Sequence, residues 1–400
     1  MFKSKISSKI RFYHHPIFSK WAKPMIYGSG KLYALTKEES ICQNISTGPA
    51  LLCYNELAAS VISKKLDKIH VPNQLTYKRH LVDMIDGGKV SVDEISNSGI
   101  TPEPGYPSIV YCTSLAATSY TPRSKIWSNW FLQAGFPRVF IVNRRGSSRV
   151  PQCSPRMTLP LGKYNDLPAV MDYLVVKEPS ETWIMIGSCY GANCVMNYLS
   201  QPSSDKNMII GGIVDSFQFN GNKFLQRHYD TKNSYFKLSR AAFFSIFIEE
   251  GLHRAANPRV FDEVSRLVDR NKFKNLDVSS TAAIRIVYED LLCKMSPDYN
   301  ISTQEELLAR MYPYYDNDHR NFMKIKKPLS MIYAQDDPFC PFDIDMIERI
   351  EENPYLCLWL FAGGGHISYT ENVLFYTSFI KNVYLENALL MMKRSKQFKV

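Results

Sequence analysis

Apolar residues change their spacing several times along this chain, and each change predicts a different kind of element. Over Arg79 to Ile95 (RHLVDMIDGGKVSVDEI) two alternating runs meet at Asp86-Gly87-Gly88. Alternation marks a half-buried strand, and the glycines supply positive φ at a tight turn, so a β-hairpin is expected. From Pro107 the apolar runs become short and continuous: Ser108 to Cys112, Arg138 to Val142, Thr182 to Ile186 and Met208 to Val214. Runs of this length, rich in β-branched and aromatic residues, read as strands buried on both faces. Between the first two, Trp127, Trp130, Phe131 and Leu132 share a helical face. A helix is also expected from Gly191 to about Ser200.

The strand rhythm then stops. From about 216 to 321 the pattern is helical and aromatic, and two more strands follow at Leu329 to Tyr333 and Leu356 to Phe361. A last helix is expected from about Asn372. Strands alternating with helices predict an α/β fold with a mostly parallel sheet covered on both faces. The helical insertion falls before the last two strands, so it reads as a lid over the sheet's carboxyl edge, where open α/β sheets bind ligands. Residues 1–75 lack this patterning and read as an N-terminal extension with some helix around Leu51 to Lys64, leaving 76–400 as the main domain.

Composition adds limits. A hydrophobic fraction of 45% with 22% charged residues is that of a globular chain with a sizeable core. The net charge of +10 is compatible with nucleic acid or an anionic membrane, but the basic residues are spread widely and no nucleic-acid module signature is present. Nine cysteines form no CxxC pair and no metal-ligand spacing, which points to a reducing compartment. No run of about 18 apolar residues predicts a transmembrane helix. Met1 to Lys37 carries no acidic residue, and Lys3, Lys5, Lys9 and Arg11 alternate with Ile6, Ile10 and Phe12. Such a start suits a membrane-surface helix, an organelle-targeting segment or a disordered basic tail.

The chemistry concentrates in Ile184 to Asn193 (IMIGSCYGAN). A strand running into Gly187-Ser188-Cys189-Tyr190-Gly191 and then a helix is the context of a nucleophile elbow, whose middle residue is thrust out at the top of the sheet. That residue is Cys189; Ser188 stands one place too early to be the nucleophile. A helix N-terminus stabilises an anion, which favours the thiolate. The amide of Tyr190, next after the nucleophile, is an oxyanion-hole donor in such an elbow. An acidic loop, Asp336-Asp337, follows the strand at 329, and Gly363-Gly364-Gly365-His366 follows the strand at 356. Nucleophile, acid and histidine come in the order this architecture demands. Phe243, Phe244, Ile246 and Phe247 in the insertion fit either an acyl pocket or the core face of a lid helix.

These motifs together resemble the AB-hydrolase branch that contains monoacylglycerol lipases, medium-chain phospholipases and YheT-type esterases. The resemblance runs from about Leu75 to Asn387. It rests on Asp86, Gly87, Gly88 and Asp93 of the hairpin, on Asn143, Arg145 and Gly146 after the second core strand, on the elbow with Gly191-Ala192-Asn193, and on Ala334 to Pro341 and Gly364 to His366. The resemblance implies an α/β-hydrolase fold and a triad of Cys189, Asp337 and His366, in which Asp337 orients the histidine and Asp336 braces the loop. It also implies a second oxyanion donor at Leu115. Two positions depart from the family: the nucleophilic serine is Cys189, and the Pro-Gly-Leu-x-Gly oxyanion loop reads Thr113-Ser114-Leu115-Ala116-Ala117. Losing one such donor costs about 3 kcal/mol of transition-state stabilisation.

The expected function is therefore hydrolysis of lipid esters or thioesters through an acyl-enzyme on Cys189, with no metal or organic cofactor. Expected substrates are acylglycerols or phospholipids met at a membrane surface, the location intracellular, cytoplasmic or peripherally membrane-bound, with no nucleic-acid partner. The alternative is a catalytically silent homologue that binds lipid or a protein partner on the same scaffold.

Overall fold

The computed structural model describes residues 24–40 and 72–396, apart from short internal stretches (73, 116, 148–149, 151–152, 161–165, 203–207, 231–239, 242, 251–259, 270, 275, 297, 299, 313–319, 338, 341, 368–369 and 373–376). The expected helix around Leu51 to Lys64 and the alternating basic start before residue 24 lie outside the described residues.

Nine strands form one sheet: β1 (Met25–Gly28), β2 (Thr76–Asp83), β3 (Lys89–Ser96), β4 (Ser108–Cys112), β5 (Val139–Val142), β6 (Trp183–Ser188), β7 (Ile209–Asp215), β8 (Leu329–Ala334) and β9 (Leu356–Phe361). Their order is β1-β9-β8-β7-β6-β4-β5-β3-β2. The centre, β5-β4-β6-β7-β8-β9, is parallel. β2 and β3 form the hairpin expected about Asp86 to Gly88, pairing from Thr76↔Ser96 to Asp83↔Lys89. β3 then joins β5 antiparallel.

Alternation along the strands decides which side chains meet which helices. On β9, Leu356, Leu358 and Leu360 pack on one face and Cys357, Trp359 and Phe361 on the other, all at most 1% exposed. Helices α1 (Lys31–Glu39), α2 (Pro122–Gln133) and α6 (Phe379–Lys396) cover the second face through Leu32, Trp127 and Val383. Helices α3 (Leu167–Lys177), α4 (Tyr190–Leu199) and α5 (Asp345–Glu352) cover the first through Val170, Val195 and Ile347. Burying the core strands on both faces is why they read as unbroken apolar runs.

Two features depart from the sequence reading. Met25–Gly28 and Lys31–Glu39, read as part of an extension, belong to the sheet and its cover: β1 pairs antiparallel with β9 from Met25↔Leu360 to Gly28↔Cys357. The last helix begins at Phe379, because Thr370–Asn372 and Thr377–Ser378 pair as a short ribbon first. Thr and Asn are poor helix-interior residues, which favours the extended form there.

Between β7 and β8 the described residues are helical, including Gly221–Tyr229, Phe261–Leu267, Gln304–Met311 and a π-helix at Ile286–Cys293. They form a third cluster, with Phe244, Phe247 and Tyr288 fully buried, that seats on Leu115, Met157 and Tyr190. Among the described residues no helix is long and apolar enough to cross a membrane.

Candidate active site

β6 ends at Ser188, and the chain turns at Cys189 with φ 53° and ψ −116° before entering α4. Positive φ is costly for a residue with a Cβ and persists only where surroundings enforce it. Here the Cys189 N–H donates to the Asp215 carbonyl at 2.9 Å, and its own carbonyl accepts from Ala192 at 3.0 Å. Glycine is needed at 191, because a Cβ there would lie 2.1 Å from the Cys112 carbonyl oxygen. Ser188 is fully buried and donates to Asp215 Oδ2 at 2.6 Å, beneath the turn rather than above it. Among the described residues the other non-glycine positive φ values are at Ser216 (47°) and Ile367 (56°). Ile367 follows His366, and its N–H donates to Ser216 Oγ at 3.0 Å. All three strained residues follow strand ends at the carboxyl edge of the sheet.

The loop after β8 supplies the acid. Asp337 Oδ1 accepts from the N–H groups of Phe339 and Cys340, both at 2.8 Å, which fixes the carboxylate. His366 Nδ1 lies 2.9 Å from Asp337 Oδ2 and 3.1 Å from Oδ1. Asp336 Oδ1 accepts from the Gly365 N–H at 2.8 Å, tying the acid loop to the histidine loop. His366 and Cys189 line the same cavity, and each shifts the other's ionisation.

Electrostatics favour an ion pair between them. Cys189 is held well below the ordinary thiol range, first by a hydrogen bond from the Cys340 thiol and then by His366, against the cost of burial. Burial alone would lower the His366 pKa; Asp337 and Cys189 overcome it and raise it to about 10. Burial pushes the other thiols the opposite way, Cys112 and Cys357 to about 12 and Cys194 well above its usual value. The expected consequence is a rate of iodoacetamide alkylation at Cys189, followed by peptide mass spectrometry, that stays on its plateau through neutral pH and declines only in the acid range. A rate that instead tracks an ordinary thiol, half-maximal near pH ~8.5, would rule out the ion pair.

Above Cys189 lies a cavity of about 410 Å³, lined chiefly by apolar residues including Leu115, Phe224, Phe243 and Ile246. The two readings of the lid phenylalanines divide: Phe243 and Ile246 line the cavity, while Phe244 and Phe247 fill the lid core. Leu115 and Tyr190 also line it. The Ala117 N–H donates to the Ser114 carbonyl at 3.0 Å. The peptide unit is trans and planar, so the Leu115 N–H points out of that turn, opposite the Ser114 carbonyl. Tyr190 is the first residue of α4, where an N–H has no intrahelical acceptor.

Three participants escaped the sequence reading. Arg144, the variable position of the Asn-x-Arg-Gly motif, donates to the Leu115 carbonyl, pairs with Glu250 of the lid and stacks 5.4 Å from the Tyr190 ring. Asp215, at the tip of β7, is fully buried with Ser188 and Tyr384 donating to it, and burial raises its carboxyl to about 6. Cys340 was visible only as one of nine scattered cysteines, although its place in the acid loop could have marked it. Asp337, Cys340 and His366 present ligand-capable atoms within 4.8 Å of one another. Asp337 and His366 Nδ1 already bind each other, so we read the trio as a hydrogen-bonded site and not a metal centre.

The parallel sheet, the strained elbow and an acid and a histidine on the loops after β8 and β9 define an α/β-hydrolase. No family model matches the chain. It is 27% identical to the monoacylglycerol lipase of Saccharomyces cerevisiae over 57% of this chain and 47% of that protein. It is 23% identical to abhydrolase domain-containing protein 2 of Drosophila melanogaster over 64% and 61%, and 22% identical to the phospholipase ABHD3 of Mus musculus over 74% and 67%. The chain thus spans from about half to two thirds of the length of these relatives. Among solved structures it is similar to a bacterial brefeldin A esterase (13% identity, 94% of this chain, 90% of that one, TM-score 0.49). An esterase of Pyrococcus furiosus matches with 15% identity, 80% and 97% coverage and TM-score 0.46. The chain has the α/β-hydrolase fold, and its curated relatives support a place in the AB-hydrolase superfamily.

Proposed function

We propose that the chain hydrolyses carboxylic esters of lipids, or acyl thioesters, through an acyl-enzyme on Cys189. The observation that carries this reading is the pairing of Cys189 with His366, itself fixed by Asp337, at the foot of an apolar cavity. In the first half-reaction the Cys189 thiolate attacks the acyl carbonyl carbon, and negative charge develops on the carbonyl oxygen. The amides of Tyr190 and Leu115 are the donors for that charge. The His366 imidazolium gives its proton to the departing alkoxide or thiolate, which leaves as alcohol or thiol. In the second, neutral His366 takes a proton from water, water attacks the thioester, and the carboxylic acid leaves. Asp337 holds Nδ1 throughout and keeps Nε2 aimed at the reaction.

The cavity supports an acyl chain as the group bound, and the relatives named monoacylglycerol lipase and phospholipase support a lipid ester as its source. Peripheral contact with a membrane surface is the setting in which such esters are met. The test is a panel of aryl esters, monoacylglycerols and acyl thioesters, quenched during turnover and read by intact mass. The expected result is turnover with a hydroxylamine-labile acyl adduct on the Cys189 peptide. Turnover without that adduct, or an adduct on another residue, would overturn the mechanism, and no turnover on any member of the panel would overturn the activity.

A further inference from the structure

We propose that Cys189 and Cys340 form a second active pair, in which Cys189 reduces an organic hydroperoxide and Cys340 resolves the product as a reversible disulfide that closes the hydrolytic site. The Cys340 Sγ lies within 4.8 Å of an Asp337 oxygen and a His366 ring nitrogen, and its thiol helps hold Cys189 below the ordinary thiol range. Both line the same cavity, and Cys340 is buried at 6% exposure. Cys340 stands on the loop between β8 and α5, not within a helix or strand, and its backbone is pinned through its N–H to Asp337. With that backbone fixed, rotation of the Cys340 side chain is the movement that would bring the two sulfurs to the bonded distance of about 2.05 Å. Hydrolysis of an ester makes no covalent use of Cys340, whose part there is limited to favouring the Cys189 thiolate.

The steps balance without a cofactor. The Cys189 thiolate attacks the terminal oxygen of ROOH; the S–O bond forms and the O–O bond breaks. The leaving alkoxide takes the His366 proton and departs as ROH, leaving Cys189 as a sulfenic acid. Cys340 then attacks the sulfenic sulfur; the S–S bond forms, the S–O bond breaks, and hydroxide leaves as water with the Cys340 proton. The two thiols supply the two electrons that reduce the peroxide. The oxidant's chemical class follows from the cavity: walls of Leu115, Phe224, Phe243 and Ile246 favour a hydroperoxide carried on an apolar group over a small polar one. Among the described thiols, burial holds Cys112, Cys194, Cys293 and Cys357 in the neutral form, which disfavours them as the attacking group.

The experiment treats the reduced full chain with three equivalents of cumene hydroperoxide, enough to pass the sulfenic acid, and maps peptides without reduction. The expected result is a Cys189–Cys340 linked peptide, with hydrolysis lost and regained on adding dithiothreitol. Cys340→Ser and, independently, Cys340→Ala are expected to give no link and to carry Cys189 on to the sulfinic acid, which dithiothreitol does not reverse. Wild-type Cys189 that ends as sulfinic acid without a link, that links to a different cysteine, or that stays reduced would overturn the proposal. The mapping does not depend on hydrolysis, so a chain that forms the link but cleaves no ester would retire the hydrolase reading alone.

Discussion

Replacing Cys189 by alanine is expected to lower kcat/KM for any ester the chain cleaves by at least ~10⁴-fold, the scale on which hydrolases lose activity with their nucleophile. The fold should be spared, since alanine occupies the same backbone position and deletes only one sulfur. A melting temperature close to wild type would establish that. Serine at this position makes a sharper test. Wild-type Cys189 ionises with help from Cys340 and His366, and in return its charge helps raise His366 to about 10. A serine hydroxyl stays protonated, so that contribution vanishes and the His366 pKa falls. The serine variant then needs neutral His366 as a base, and its activity should climb as pH rises through this lowered value. For acylation, read as kcat/KM, the wild type with its ion pair preformed should already be active below it and lose activity only as pH passes about 10 and the imidazolium proton is lost. Identical pH profiles for the two would mean that Cys189 is not ionised in the resting site.

Much of this arrangement was legible because it is written locally. The hairpin declares itself by alternation about Asp86 to Gly88, and the buried strands by continuous apolar runs such as Leu356 to Phe361. The order of Cys189, acid loop and His366 needs only strand ends to interpret. What was not legible depends on partners far away in sequence. Met25–Gly28 is a strand because β9 offers it an edge, with Met25 opposite Leu360; its four residues carry no signal of their own. Phe243, Phe244, Ile246 and Phe247 form two pairs spaced three apart, but only the packed lid decides that Phe243 and Ile246 face the cavity. Contact between Cys340 and Cys189 joins two loops that sequence spacing leaves unrelated. Arg144 ties the Leu115 carbonyl, Tyr190 and Glu250 of the lid into one cluster, so the loop that carries Leu115 is braced from the lid side.

The hairpin motif at Asp86 to Asp93 and the Asn-x-Arg-Gly motif at 143–146 form a structural brace. Arg145 is buried between two carboxylates: Nε bonds Asp166 at 2.8 and 2.9 Å, and Nη1 bonds Asp86 at the hairpin turn. Ser154 and Thr158 complete the two acids at 2.8 and 2.6 Å. Gly88 belongs to the same cluster, since a Cβ there would lie 2.9 Å from Arg145 Nη1. A few residues away Asp93 accepts from Arg79 at 2.7 and 2.8 Å and from Asn143 at 2.9 Å. These bonds weld the β2–β3 hairpin and the segment after β5 to the start of α3. Arg145→Leu keeps an apolar stem but leaves Asp86 and Asp166 buried and facing one another. Breaking one side of a buried pair costs about 3–5 kcal/mol, a fall in melting temperature of about 4–6 °C for a chain of this length. The sign of its pH dependence follows from Asp86. Burial raises its pKa, but the Arg145 charge and hydrogen bonds outweigh that and hold the carboxyl below its ordinary value. In wild type that acid therefore stabilises the fold above the ordinary carboxylate range, and the contribution fades as pH falls through its depressed pKa. In the variant the same carboxylate is unpaired, so its pKa rises and protonation relieves the repulsion. The deficit should be largest at neutral pH and shrink toward pH ~4–5, measured as the difference in melting temperature between the two proteins. A deficit under about 2 °C at neutral pH, or one that does not change on acidification, would mean that water and not Arg145 compensates these two acids.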